Sequence, residues 1–541
     1  MASQPDTISR WAEQVSDRLN PILVKETRQA LKSKQFLATF AIMLFGGWLI
    51  SAFVLMALVG GNDDSPYGKN VFPFYFGLLA FTVMLVVPFG AFRSLLAERD
   101  LNTYELLNIT TLSPQQIVWG KWLSAQVQTF IYFSAISPFV AFCYLLRGVD
   151  FPTLIFVLVS AMFASMLVSL LSLTFSTFAR QRQAQVVLSL VLLGQLVWIM
   201  GASIGLGTEL VTYNSVDFSD QEFYWGGLVV ASYYVAIFVL CLQIARAQLT
   251  FESDNRSTGI RLSSAALYWL TLGWLGLGLY QAVFGGTSPG STLIVDPVYV
   301  SLSFLGVFWG GVCLFAATET DGLSRRIRSQ LPKSFLLRFL AVPFLPGGGR
   351  GMLMAVLHLA ALVGLTFAAG RFIHDPNWVR ISKFTIGLCC YILFYAGMSA
   401  ALGRWLRKAT PLFRPAQTRA FAIVMFALSW LAPNIANIFR NSRSVANPLF
   451  YLTDPVSTLE TLDSSVTWAD EIMAALLVMG GVGLLLNVHT MWRGFTEVVF
   501  LREPATDERA LYPQSLMADD PTAAAGILDG AAVTPEPSTT S

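Results

Sequence analysis

The sequence predicts an all-α integral membrane protein with about 12 transmembrane helices, arranged as two six-helix bundles, with both termini cytoplasmic. Three observations lead there. Of 541 residues, 55% are hydrophobic and only 13% are charged, whereas soluble domains average about 25% charged. Twelve apolar stretches reach the roughly 20 residues a helix needs to cross hydrocarbon. When those stretches alternate across a bilayer, 28 of the 35 Lys and Arg residues fall on one side, which marks that side as cytoplasmic. A water-soluble chain with 41 Phe, 14 Trp and a mean hydropathy of +0.59 would expose apolar patches that soluble monomers avoid. The same composition excludes a collagen, a disulfide scaffold and a largely disordered protein.

The elements follow in chain order. Residues 1–35 are polar and basic and hold a cytoplasmic amphipathic lead-in helix. The first apolar run, Phe36–Val59, is long enough to stay as an anchor, so no cleavable leader is expected. It opens a six-span unit over 36–260, continued by Val71–Phe92, Trp122–Leu146, Thr153–Phe178, Val186–Leu206 and Tyr224–Ala245. A second bundle over 261–503 contains Ser264–Phe284, Val298–Thr318, Met352–Gly370, Phe384–Gly403, Ala420–Phe439 and Ile472–Trp492. The eleventh run is the least regular, since Pro433, Asn434 and Asn437 interrupt its second half. Outside cations number seven: Lys69, Arg147, Arg371, Arg380, Lys383, Arg440 and Arg443. No span contains Asp, Glu, Lys or Arg. The outer loops are too short for a folded domain, and the Pro-, Ala- and Ser-rich stretch 504–541 reads as a disordered cytoplasmic tail.

Much chemistry is missing. Ion-coupled carriers and pumps keep ionisable groups in the membrane; here His358 and His489 alone lie within the runs, and interfacial or helix-packing roles suit them. There is no G-x-x-x-x-G-K-[ST] phosphate loop, no H-E-x-x-H and no G-x-S-x-G. The glycine run 347–351 lacks the Lys-Ser/Thr that would hold phosphate, and reads as a hinge before the ninth span. Five cysteines sit in apolar stretches without metal-ligand spacing, as buried small hydrophobes do. A net charge of +2 gives no pull toward nucleic acid. Neither an enzyme acting alone nor a cofactor bound by this chain is expected.

Two cytoplasmic elements suit a partner. In the lead-in helix, Asn20 can cap and Pro21 fits the first helical position, with Ile22 and Leu23 apolar and Lys25, Arg28, Lys32 and Lys34 facing lipid phosphates. The loop Arg93–Lys121 reads as a short helix, a break near 110–112, and a helix running into span three. Ser113, Pro114 and Gln116 form a capping box at the start of that last helix. A mixed apolar and acidic surface helix suits docking into another protein's groove.

This loop resembles a known family. Glu98-Arg99, Thr103, Glu105-Leu106-Leu107, Leu112-Ser113-Pro114, Ile117 and Gly120-Lys121 match a pattern seen in permeases of type-2 ATP-binding-cassette (ABC) exporters. The stretch Asn20-Pro21-Ile22-Leu23-Val24-Lys25-Glu26, followed by Arg28, is similar to the lead-in helix of that family. The resemblance covers about residues 1–260; residues 261–503 show no second copy of the loop pattern. It implies an inner (plasma) membrane permease subunit that exports its substrate. A separate ABC ATPase would bind ATP and Mg, and the coupling loop 93–121 would follow its closure. Partners implied are that ATPase, the lipid bilayer and a second permease copy. A non-transporting scaffold, a secondary carrier for a hydrophobic substrate and a lipid-acting enzyme are the rival classes. In the second half the basic loop Thr320–Arg350, with Arg325, Arg326, Arg328 and Arg338, is the nearest counterpart of the coupling loop and reads as a docking or lipid-binding helix.

The charge asymmetry makes a topology prediction. Reporters fused at the amino terminus, at Arg328 and after Glu503 should all report the cytoplasm, and one at Ser215 the outside. A cytoplasmic-type reporter found outside at any of the first three would overturn the twelve-span arrangement.

Overall fold

The computed structural model describes residues 20–60, 67–100, 113–179, 181–213, 216–251, 254–284, 292–373, 377–410, 413–439, 451–464 and 469–500. Among these the chain is helical, without strands. Twelve helices are long and apolar enough to span a membrane. They are Lys34–Ala57, Tyr67–Glu98, Pro114–Leu145, Phe151–Phe178, Arg182–Tyr213, Gln221–Leu249, Ser257–Phe284, Asp296–Ala317, Gly348–Phe372, Asn377–Ala409, Pro415–Ala436 and Ala469–Val499. The protein is thus an all-α, multi-span membrane protein. Most helices outrun their apolar core by a turn or more, because backbone bonds continue where polar side chains meet the headgroups.

Contacts between helix ends fit alternating crossings. At one end Lys69 Nζ, opening span two, donates to Thr212 O at the close of span five, 2.9 Å away. Lys383 and Asp470, opening spans ten and twelve, pair at 2.9 Å on that same side by parity. At the opposite end, called the basic end below, lie the charge clusters that organise the candidate site.

Buried cores divide by half. Tyr75, Phe76, Leu79, Val83, Tyr132 and Ile136 centre the first; Tyr268, Trp309, Met352, Leu359 and Ile381 centre the second. The halves meet along spans six and seven, where Trp274 Nε1 donates to Ser232 Oγ at 2.9 Å. Within each half the packing graph repeats: the second helix packs on the third and fourth, the fourth on the sixth, and the third on the sixth.

Local departures from ideal helix are each compensated. Span two widens to a π-helix over Phe81–Val86, and Ser165 Oγ of span four donates to Val83 O there at 2.8 Å. Pro433 lies inside helix Pro415–Phe439 without ending it. Its missing N–H frees the Ser429 carbonyl, which accepts from Thr453 Oγ1 at 3.4 Å. Asn434 Nδ2 is satisfied by Trp430 O and by Asp454 Oδ2, at 2.7 and 3.0 Å. Spans ten and twelve touch backbone to backbone: a Cβ on Gly397 would strike Gly483 O, and one on Gly483 would strike Leu393 O. Small residues allow this approach in a membrane, where helix association rests on close packing.

Two expectations change, and a third is narrowed. The run 347–351 is not a hinge. Gly347 takes φ +129 before the ninth helix, and a Cβ at Gly348, Gly349 or Gly351 would meet the backbone oxygens of Ala317, Thr490 or Ala316. Those glycines exist for close packing. Of the two roles suited to His358, the structure shows helix packing: it is buried ten residues into that helix, with Nδ1 against Met354 O at 2.9 Å and its own carbonyl accepting from Tyr268 Oη at 2.7 Å. Lastly, 93–100 is no separate short helix but continues the helix of span two to Asp100. The expected loop break and the tail 504–541 lie outside the described residues.

Candidate functional site

The lead-in helix Pro21–Leu31 starts as its residues dictate: Ile22 N donates to Asn20 Oδ1 at 3.0 Å, and Pro21 occupies the first turn, where no N–H is needed. The cap does a second job. Asn20 Nδ2 donates to Gln116 O at 2.6 Å, tying the helix start to the first turn of span three. That turn has its own capping box: Gln116 N donates to Ser113 Oγ at 3.3 Å, and Ser113 N to Gln116 Oε1 at 2.8 Å. Pro114 opens the helix. Buried Ile22 then rests on Gly120, where an added Cβ would come within 2.8 Å of Ile22 Cβ. Gly120 is required for the close approach of the two helices.

One turn of packing leads to a buried charge cluster. The Lys121 side chain is 1% exposed, and its ammonium lies 2.9 Å from Glu26 Oε1 and 3.0 Å from Glu98 Oε1. It also donates to Ser94 O at 3.4 Å. Lys25, on the rim at 65% exposure, stands 4.0 Å from Glu98. Among the described residues two cations here meet two carboxylates. Lys121 opens span three, Glu98 closes span two, and Glu26 belongs to the lead-in helix, so one ammonium joins three elements. Exposed ion pairs contribute little; a buried one is strongly destabilising to break, because a naked charge stays behind.

Of the residues singled out by sequence, the structure brings together Asn20, Pro21, Lys25, Glu26, Glu98, Ser113 and Pro114. Glu98 faces inward onto Lys121 instead of outward to a partner. Arg28 is exposed and makes none of the cluster's ion pairs. Thr103, Glu105, Leu106 and Leu107, with the side chain of Arg99, lie outside the described residues. Lys121 entered the sequence reading through the Gly120-Lys121 match, with no role of its own. A lone cation at the first turn of an apolar run, with carboxylates at two neighbouring helix ends, is the signal that would have found it.

The second half has a matching cluster that the sequence did not reveal. Buried Arg261, opening span seven, donates to the carbonyls of Leu345 at 2.6 Å, Gly347 at 3.0 Å and Pro343 at 3.1 Å, and pairs with Glu319 at 2.7 Å. Glu319 also accepts from Gly347 N, and Asp321 from Gly349 N, at 3.1 and 2.9 Å. The N–H groups that begin the ninth helix therefore already have carboxylate partners within the chain. Arg350 reaches Glu497 at 3.1 Å and so ties in span twelve. In the first half the cluster joins the lead-in helix, the end of the second span and the start of the third; in the second half it joins the start of the first span, the end of the second and the start of the third.

Between the bundles lies a cavity of about 330 Å³, lined by Leu240, Ile244, Phe308 and Val312 with Ser257 and Arg261 at its base. It is overwhelmingly apolar. Among the described residues no cluster of His, Cys, Asp or Glu could hold a metal ion. No protein-family model, curated protein or solved structure matches the chain.

The charge cluster makes a stability prediction. Lys121→Met should leave Glu26 and Glu98 facing each other without their cation and cost about 3–5 kcal/mol. Adding Glu26→Gln and Glu98→Gln should recover most of that loss. Unfolding of the full chain in mixed micelles measures both. Equal stability of Lys121→Met and wild type would contradict the cluster.

Proposed function

We propose that this chain is the membrane-spanning permease subunit of an ABC transporter, an exporter in the cell (inner) membrane driven by ATP hydrolysis on a separate subunit. The observation that carries the reading is the loop 93–121. Its sequence resembles the coupling loop of type-2 exporters, and its two ends are fixed to the lead-in helix by Lys121, Glu26, Glu98 and Asn20. A displacement delivered to that loop reaches spans two and three through one ammonium, so force on a surface segment becomes movement within the membrane. The absence of Asp, Glu, Lys and Arg from the apolar runs supports ATP over an ion gradient as the energy source. The apolar cavity between the bundles supports hydrophobic or lipid-linked cargo. Basic segments mark the coupling side as cytoplasmic.

Within this mechanism ATP and Mg belong to the partner. The chain's own residues position and transmit: Asn20 and Ser113 fix the two helix starts, Lys121 holds them together, and Glu105, Leu106 and Leu107 meet the ATPase.

Purification of the tagged full chain in mild detergent tests the reading. A polypeptide carrying a phosphate loop should copurify, and its hydrolysis should respond to the permease. Replacing Glu105, Leu106 and Leu107 by Ala should lower the captured ATPase about tenfold or more, as loss of a partly buried interface group does. Glu222→Gln, at the opposite end, is the control and should change nothing; Asp217 and Asp220 are unsuitable because they cap the backbone there. Absence of an ATPase, or equal capture by the triple variant, would refute the assignment.

A further inference from the structure

We infer that the segment 325–344 is a binding site for anionic lipid headgroups, with helix Phe335–Ala341 seated in the leaflet at the basic end. The helix is short and largely uncovered: Phe335, Leu336, Leu337 and Leu340 are each more than half exposed, and Phe339 nearly so. At 100° per residue these five side chains sweep about 200° of its circumference, with Arg338 on the remaining side. That is the profile of a helix lying in the membrane interface, apolar face in hydrocarbon and cation toward headgroups. A partner's groove would cover a narrower stripe.

Its position fits. Phe339 stacks edge-on against Phe495, with ring centroids 5.7 Å apart, near the end of the last span. The helix therefore sits at the bilayer boundary, beside lipid and not far out in solvent.

Its charge names the lipid. From 322 to 350 the chain holds six Arg and Lys residues and no Asp or Glu. Three of the cations have protein partners: Arg326 pairs with Asp254 at 2.8 Å, Arg328 with Glu497 at 2.8 Å, and Arg350 with Glu497 at 3.1 Å. Arg338 Nε donates to Pro332 O at 2.6 Å, which folds the guanidinium back over the preceding turn. Arg325 and Lys333 are exposed and carry no acidic partner among the described residues. An apolar helix flanked by two such cations matches an acidic phospholipid: acyl chain against Leu336 and Leu340, phosphate at Arg325 and Lys333. Under the positive-inside rule this is the cytoplasmic leaflet, the one that carries anionic lipid. The inference does not rest on the ATPase reading.

The experiment uses the full chain in nanodiscs, with Leu336→Cys carrying an environment-sensitive fluorophore. All five native cysteines are buried, so the unsubstituted chain supplies the labelling background. Brominated phosphatidylglycerol or brominated phosphatidylcholine is added as a minor component of a phosphatidylcholine bilayer. The label should emit as in hydrocarbon, and brominated phosphatidylglycerol should quench it at severalfold lower concentration than brominated phosphatidylcholine. Arg325→Gln and Lys333→Gln, which break no ion pair, should each reduce that preference about fivefold. Leu340→Cys, on the same exposed face, should give the same pattern. Emission typical of water, equal quenching by the two lipids, or shielding that appears only with a bound protein partner would overturn the proposal.

Discussion

A bilayer interior cannot solvate charge, and most of this molecule's architecture follows from that constraint. Every cation and carboxylate is pushed to a helix end, and most cations to the same end. There the charges crowd together and are partly withdrawn from water by packed helices. The buried ones, Lys121, Arg261 and Arg350, each have a carboxylate partner. Lys121 between Glu26 and Glu98, and Arg261 among Glu319 and four carbonyls, are two solutions to that one problem. The interactions that neutralise buried charge are also those that join separate elements. The junctions are ionic because the end of a span is where ions can be.

The two junctions occupy equivalent places. In each half an ionic cluster links the close of the second helix and the opening of the third, adding the lead-in helix in one half and the start of the first span in the other, and the helices beneath pack in the same order. The residues differ: a lysine at the third helix in one half, an arginine at the first helix in the other. Likeness of packing without likeness of motif explains why the second half showed no repeat of the loop pattern. The clusters also differ in consequence. Lys121 has two carboxylates and one carbonyl, and sits beneath the loop resembling the coupling loop. Arg261 is enclosed by backbone, and the loop beside it presents apolar side chains and two cations, Arg325 and Lys333, without an acidic partner among the described residues.

The twelve spans were legible because length and hydropathy are set by the solvent, whatever the fold. Asn20 and Ser113 were legible too, since capping is a local code read within four residues. The ends of spans were less so: helices outrun their apolar runs, and 93–100 proved continuous with span two. Partners across ninety or more residues were not legible. Nothing local in Lys121 points to Glu26, and nothing in Arg261 points to the carbonyl of Leu345. The glycine run 347–351 misled for the same reason. Flexibility is the local meaning of glycine, but close approach by Thr490 and Ala316 is the tertiary one. For His358 the sequence left interfacial and helix-packing roles open, because its burial depends on Tyr268 and Trp309 from other helices.

The central claim is that one buried ammonium makes the lead-in helix and the start of span three a single rigid body. Spin labels at Arg28→Cys and Gln115→Cys, both on exposed positions, report the distance between those two elements directly. The account predicts one narrow distance distribution in the full chain, and a broad one when Lys121→Met removes the shared cation. A distribution that is broad in both, or narrow in both, would contradict it.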